Sequence, residues 1–346
     1  MLSRGLHFGL RFSSRRVVTQ ITSRNAASEP AYDKDPAPYF FNEEIQTILK
    51  TVTRPSTEKV FRRQLNSENL VEPEYKFMTD QELEDARRQA NQLMWERLQM
   101  PPVVKVREED GRVLSKDPAL QGFSDAKFVV TDITFGISNK DRIIAVRELD
   151  GTLRKAFNHE KDRLNQVYFP IPGREVFMPK MFQEEYLQAV LDRKDYEFIL
   201  NRACIQFEPD SEDFHRVTRV TYDCIYDKMH FDHLRSTRHF GPMVFYLAWN
   251  KKIDNLLIEN IQTERIEDAA LVIKLYYKLN PSEKAIKEED NVKLIQHFID
   301  TEAGSKGKLI RALQTHLEIE AERRKIRENV EKHIAETKSS DEEIKT

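Results

Sequence analysis

Four side chains open the question of chemistry in this 346-residue chain: Cys224, His230, His233 and His239. Thiolate and imidazole are zinc ligands, and zinc sites draw them in close pairs or on one helix face beside a carboxylate base. Here His230-Phe231-Asp232-His233 lacks the base, and Cys224 has no cysteine close by. These residues therefore read as surface or packed side chains, and no metal is expected. Gly304-Ser305-Lys306-Gly307-Lys308 has the look of a phosphate cradle. Its glycines stand too close together for a P-loop, and no Ser or Thr follows Lys308, so it reads as an interhelical turn whose lysines touch phosphates at most. A nucleophile elbow and a dinucleotide-binding glycine pattern are both missing from the sequence, and the many carboxylates are scattered. No catalytic residue, cofactor or small-molecule substrate is expected, and the chain does not read as an enzyme.

The stretch best suited to partners is Leu234-Arg235-Ser236-Thr237-Arg238-His239-Phe240, with Lys251-Lys252 soon after. Arg and hydroxyl side chains bind phosphates, and an aromatic ring covers a base or sugar. The same arginines would serve equally well as partners for Glu or Asp of a neighbouring element. Arg235, Arg238, Lys251, Lys252, Lys306 and Lys308 are thus the candidate contacts to RNA or to an acidic partner. The whole chain carries 55 Lys and Arg against 58 Asp and Glu, a formal charge of −3, so any RNA contact is a local patch on a nearly neutral body. Two cysteines make no disulfide framework, and no apolar run approaches the length of a membrane span.

The elements that must position these residues divide the chain into five segments. Residues 1–28 are rich in Arg, hold Ser, and contain no acidic residue before Glu29. With Leu2, Leu6 and Leu10 on one helical face they have the features of a mitochondrial transit peptide. Residues 29–126 form an extended and helical arm. Within it Phe40–Thr51 is amphipathic, and Thr79-Asp80-Gln81-Glu82 is a capping box opening a helix that Met100-Pro101-Pro102 ends. That helix presents Leu83, Ala86, Ala90, Leu93, Met94 and Leu98 as an apolar face and Arg87, Arg88 and Arg97 as a basic one. Residues 127–178 are the β-region. Val129, Thr131, Ile133, Phe135 and Ile137 alternate, as do Ile144 and Val146 against Ile143 and Ala145. Ser138–Asp141 and Asp150-Gly151 supply the turns; a third strand starts at Thr152 and a short fourth is expected at Gln166–Phe169.

Residues 179–303 read as a helical domain. It has helices over 179–190, 196–207 and 211–227, an apolar stretch with a kink or a helix restart at Gly241-Pro242, one long helix over Ile253–Leu279, and a short one over Asn291–Ala303. Ala269, Ile273, Tyr276 and Pro281 have the spacing of a tetratricopeptide helix, without a second copy. Residues 304–346 are a charged helix and tail. The expected fold class is α+β: a small central antiparallel sheet, flanked by an N-terminal helical arm and a mainly α-helical C-terminal half.

Several segments taken in order carry a family resemblance. They are Met78-Thr79 through Pro102, Phe128–Ile133, Val146-Arg147-Glu148, Gly151–Ala156 and Gln166–Pro170, then Gln206–Ser211, Leu234–Arg238 and Asn250–Asp254. Together, from about Glu43 to Leu279, the chain resembles the family of mitochondrial ribosomal small-subunit protein 22. The resemblance implies a non-enzymatic structural constituent of the mitochondrial small ribosomal subunit. It also implies residence in the matrix, neighbours among the subunit's proteins, and some contact with its rRNA. A transient factor for ribosome assembly or RNA processing is the alternative. Neither reading involves a membrane.

Overall fold

Phe240-Gly241-Pro242-Met243-Val244-Phe245-Tyr246-Leu247-Ala248 is apolar on every side, and a helix of that composition has to lie inside the protein. It does so in the computed structural model, which describes residues 32–61, 75–281 and 290–343. Around it the helices run in chain order: α1 (Ala37–Phe40), α2 (Glu43–Thr53), α3 (Thr57–Val60), α4 (Asp80–Arg97) and α5 (Asn158–Tyr168). There follow α6 (Glu184–Asp192), α7 (Tyr196–Gln206), α8 (Glu212–Lys228) and the buried helix itself, α9 (Phe240–Trp249). The last are α10 (Asp254–Gln262), α11 (Ile266–Leu279), α12 (Asn291–Thr301) and α13 (Lys306–Glu343). Residues 1–28, the expected transit peptide, lie outside the described residues.

Pro242 sits in the first turn of α9, where its missing amide has no intrahelical partner to lose, so the helix starts there without a kink. α9 packs on α2, α8 and α11, and one apolar cluster runs continuously from Tyr32 to Leu313. The sheet has its own small cluster of Ile144, Val146 and Ala156, closed by Leu164 of α5. The two regions meet through polar contacts. Arg107 pairs with Asp162 and its amide donates to the Asp210 carbonyl, Lys140 reaches Asp210 at 3.2 Å, and Arg174 reaches Glu208 at 2.8 Å.

The α+β class holds, with a four-stranded antiparallel sheet in the order β1-β4-β3-β2: β1 (Val113–Lys116), β2 (Phe128–Thr131), β3 (Ile144–Arg147) and β4 (Thr152–Lys155). The expected turns form. Gly151 takes φ +81° in the β3–β4 turn, and Asp150 accepts from the Thr152 amide at 3.0 Å. The fourth strand is elsewhere than expected. Gln166–Tyr168 ends α5, and the buried Gln166 side chain is committed to loop backbone, donating to the Arg174 carbonyl at 2.8 Å and accepting from the Ile171 amide at 3.0 Å. Val113–Lys116 pairs with β4 in its place, although all four residues are exposed. The β2 run is also shorter than its alternation suggests. After Thr131, Asp132 takes both the amide and the hydroxyl of Thr134, an Asx turn that bends the chain off the ladder and leaves Ile133 and Phe135 in solvent.

Two helical expectations also change. The single helix over 253–279 is two, α10 and α11, because Glu264 adopts φ +60° and the Arg265 amide closes onto the Asn260 carbonyl at 2.7 Å. In α4 the capping box is present: the Thr79 amide donates to Glu82, and the Glu82 amide donates to the Thr79 hydroxyl. Its apolar face, however, does not enter the core. Among its expected members only Met94 and Leu98 are buried, while Leu83 and Leu93 face solvent.

Arg154 of β4 anchors the sheet to α5. It is largely buried and joins Glu148 at 2.6 Å to Glu160 at 2.8 Å. The Arg154 hydrogen bonds hold Glu160 down at about 2, with the Phe157 amide assisting. A depressed carboxylate stabilises the fold above its unfolded pKa and loses that contribution as pH falls through the folded value. The junction between sheet and α5 therefore weakens between about pH 4.5 and pH 2. Carboxyl resonances followed by NMR should place the Glu160 midpoint near the lower limit in the wild type. In Arg154→Met it should return to the ordinary range of about 4; an unmoved midpoint would remove Arg154 as the cause.

Candidate partner-binding surfaces

Arg235 stands two residues past a single helical turn, Phe231–His233, that follows the left-handed Met229 at the C-terminus of α8. Its guanidinium points inward and its side chain is 3% exposed. It pairs with Glu259 of α10, donates to Asn260 Oδ1 at 2.6 Å, approaches Asp268 of α11 at 3.9 Å, and lies 4.9 Å from the centre of the Phe240 ring. Burial pulls its pKa down, while Glu259 supports the charge. The acidic partners of this candidate contact are thus inside the chain, and no face of it remains for RNA. Asp268 also takes Arg54 Nε at 2.6 Å, and Glu259 also takes Arg265 at 3.5 Å. Three guanidinium groups and two carboxylates form one network across four elements. Backbone bonds run beside it: the Ser236 amide donates to the Thr53 carbonyl, and the Ser236 hydroxyl to the Arg54 carbonyl at 2.7 Å.

Arg238, three residues on, is half-buried and has neutral partners. Its Nε donates to Asn201 Oδ1 at 2.9 Å, and the neighbouring His239 holds the same oxygen at 2.9 Å. Burial pushes His239 down to about 3, so the imidazole is neutral at physiological pH.

The four lysines gather at the other end of α9. Lys251 occupies a left-handed turn residue just past the helix, at φ +56°, and is exposed. Lys252 pairs with Asp223 at 2.9 Å. Asp254, two residues later, accepts the Ser305 amide at 2.6 Å, which ties the Gly304–Lys308 turn to the start of α10. Lys306 donates to the Asp300 carbonyl at 2.6 Å, and Lys308 is exposed. A carboxylate thus already sits at the turn that resembled a phosphate cradle. Of the six candidate contacts, the structure brings Lys251, Lys252, Lys306 and Lys308 into one neighbourhood and sets Arg235 and Arg238 apart at the far end of α9.

Of the tempting metal ligands, His230 and His233 lie with ring centres 5.5 Å apart around Tyr196, whose hydroxyl bonds His230 Nδ1 at 2.8 Å and also engages Cys224, whereas His239 is buried against Asn201. Among the described residues no group of three metal-binding side chains occurs, and no helix is long and apolar enough to cross a membrane. Sequence reading did not find the Asp268 and Glu259 partners. Arg54 lies 214 residues from Asp268, and nothing in the local pattern of either marks the pair.

Comparison with known proteins places this architecture. The family model described as mitochondrial 28S ribosomal protein S22 matches residues 38–281. The small ribosomal subunit protein mS22 of Bos taurus is 40% identical over 296 residues, 84% of this chain and 82% of the bovine protein. The mS22 protein of Mus musculus is 40% identical over 305 residues, 87% of this chain and 84% of its own length. The family match spans the sheet, the buried helix α9 and the residues of the Arg235 network, and this chain belongs to the mitochondrial 28S ribosomal protein S22 family.

Proposed function

We propose that this chain is a non-enzymatic structural component of the mitochondrial small ribosomal subunit, resident in the matrix. The observation carrying this reading is the 40% identity to proteins named small ribosomal subunit protein mS22 over more than four-fifths of both chains. Its near-neutral charge suits a subunit held mainly by protein neighbours, with rRNA reached through local basic groups such as Lys251, Lys306 and Lys308. The exposed apolar residues of α4 and β2, among them Leu83, Leu93, Phe128 and Val130, suit contact with neighbouring subunit proteins. The Arg-rich residues 1–28 are its import signal on this reading.

The test is sedimentation of mitochondrial lysate through a salt-containing gradient. The chain should travel with small-subunit rRNA at close to one copy per subunit, and it should stay bound as salt rises, since loose phosphate contacts yield to competing counterions. Recovery at the top of the gradient, or at a small fraction of one copy, would instead mark a transient assembly or RNA-processing factor.

A further inference from the structure

A cavity of about 320 Å³ opens between the C-terminal end of α4 with its following Pro101-Pro102 segment, the end of α7, the start of α8, and Arg238. Ligand pockets for small molecules begin at about this size. Its walls are of two kinds. Met100, Pro101, Pro102 and Phe214 supply apolar surface, and Arg97 and Arg238 bring two guanidinium groups to the lining. Neither arginine makes an ion pair with a carboxylate among the described residues. Arg238 is fixed through Nε by the neutral Asn201, and Arg97 lies 4.8 Å from the centre of the Phe61 ring while donating to the Val60 carbonyl at 3.4 Å. Glu96, the one acid on the lining, accepts from Gln92 at 3.5 Å. Held by neutral groups, both guanidinium groups keep an unbalanced charge; Arg238 keeps both terminal nitrogens and Arg97 keeps Nη2 as donors for an anion, and a planar guanidinium fork matches phosphate.

We propose that this cavity binds a nucleoside monophosphate unit, with Arg238 and Arg97 on the phosphate and the apolar wall against the base. The volume exceeds what a lone inorganic anion fills, and an apolar wall that includes an aromatic ring suits the face of an unstacked base. The unit comes either from a free nucleotide or from a nucleotide turned out of an RNA strand; the chemistry recognised is the same. Nothing in this assignment depends on the ribosomal role. Cys204 provides a reporter, because its thiol lines the same cavity and lies within the field of the Arg238 charge.

The experiment titrates the full chain, carrying Cys224→Ser, with the four nucleoside monophosphates, the corresponding nucleosides, inorganic phosphate and a short uridylate oligomer. Calorimetry gives affinity, and the rate of Cys204 alkylation gives location. At least one monophosphate should bind and slow alkylation, with the nucleoside and inorganic phosphate each weaker by about tenfold or more, the first for want of the charged hydrogen-bonding group and the second for want of the stacked base. Arg238→Gln and Arg97→Gln should each weaken binding to a similar extent. Arg97 is exposed, so its variant keeps the test decisive if Arg238→Gln does not fold. Tighter binding of the oligomer than of the monomer would identify an RNA strand as the source, and equal or weaker binding a free nucleotide; both support the site. The proposal fails if no monophosphate binds, if inorganic phosphate binds as well as the monophosphate, if the arginine variants bind unchanged, or if bound nucleotide leaves Cys204 alkylation unaltered.

Discussion

Replacing Asp268 by Ala is expected to lower the stability of the chain by roughly 3–5 kcal/mol, the range for removing one partner of a buried ion pair. Asp268 is 1% exposed and faces two arginines. Its loss leaves the Arg235 guanidinium, itself nearly fully buried, with Glu259 and the Asn260 oxygen alone; Arg235 Nε and Nη1 already make no hydrogen bond. Arg54 is 45% exposed and returns to water when Asp268 is removed, so that variant strands the Arg235 charge alone. Arg54→Ala strands the other charge: the buried Asp268 carboxylate is left with Arg235 at 3.9 Å, and the loss should be roughly 2–3 kcal/mol, the cost of a buried acceptor without its hydrogen bond. Urea unfolding of the two variants would measure both losses. A loss under about 1 kcal/mol for Arg54→Ala would mean that Arg235 by itself satisfies Asp268, and that the Arg54 contact counts only as a surface pair. A double variant, Arg235→Met with Asp268→Leu, should recover part of the Asp268→Ala loss, because it removes the stranded charge while keeping volume.

This network also marks where sequence reading stops. The Thr79 capping box and the Asp150-Gly151 turn were legible because each is a short-range hydrogen-bonding pattern written within four residues. The interruption at Gly241-Pro242, as a kink or a restart, was legible from the proline itself. The break at Glu264 was not. The apolar spacing of Leu256, Leu257, Ile261, Ala269 and Ile273 continues through it, and no Gly or Pro announces the left-handed residue. β1 was missed for a related reason: Val113–Lys116 buries nothing, and its stabilisation is the backbone ladder with β4, 36 to 41 residues distant. The candidate site divides the same way. That Arg235 and Arg238 suit phosphate or carboxylate partners was readable from their type. That one faces two carboxylates and the other a cavity depends on α7, α10 and α11, which only the fold brings alongside.

The second large effect is expected at Phe245, in the middle of α9. Its ring is fully buried and packs against Phe40 at a centroid distance of 5.3 Å, Trp249 at 5.7 Å and Tyr32 at 6.3 Å. Phe245→Ala should cost roughly 3–5 kcal/mol, the transfer free energy of the ring plus the cavity it leaves. Phe245→Leu, which keeps most of the volume, should cost less than about 1.5 kcal/mol. The loss is directional as well as large. Tyr32 and Phe40 belong to the segment that precedes α2, and α1 is only four residues long, so little besides these rings secures that segment to the core. Tyr32 adds edge contacts to Trp249 and Tyr246, and the Trp249 indole donates to Asp33 at 2.9 Å. Limited proteolysis across a urea series should therefore cut Phe245→Ala first between Tyr32 and Phe41, at a urea concentration where α7 to α11 remain protected. Phe40→Ala, placed on the segment itself, should give the same early cut with α9 intact. If Phe245→Ala instead loses all its elements together, the aromatic cluster is part of the global folding unit, and the segment from Tyr32 to Phe41 has no separate docking step.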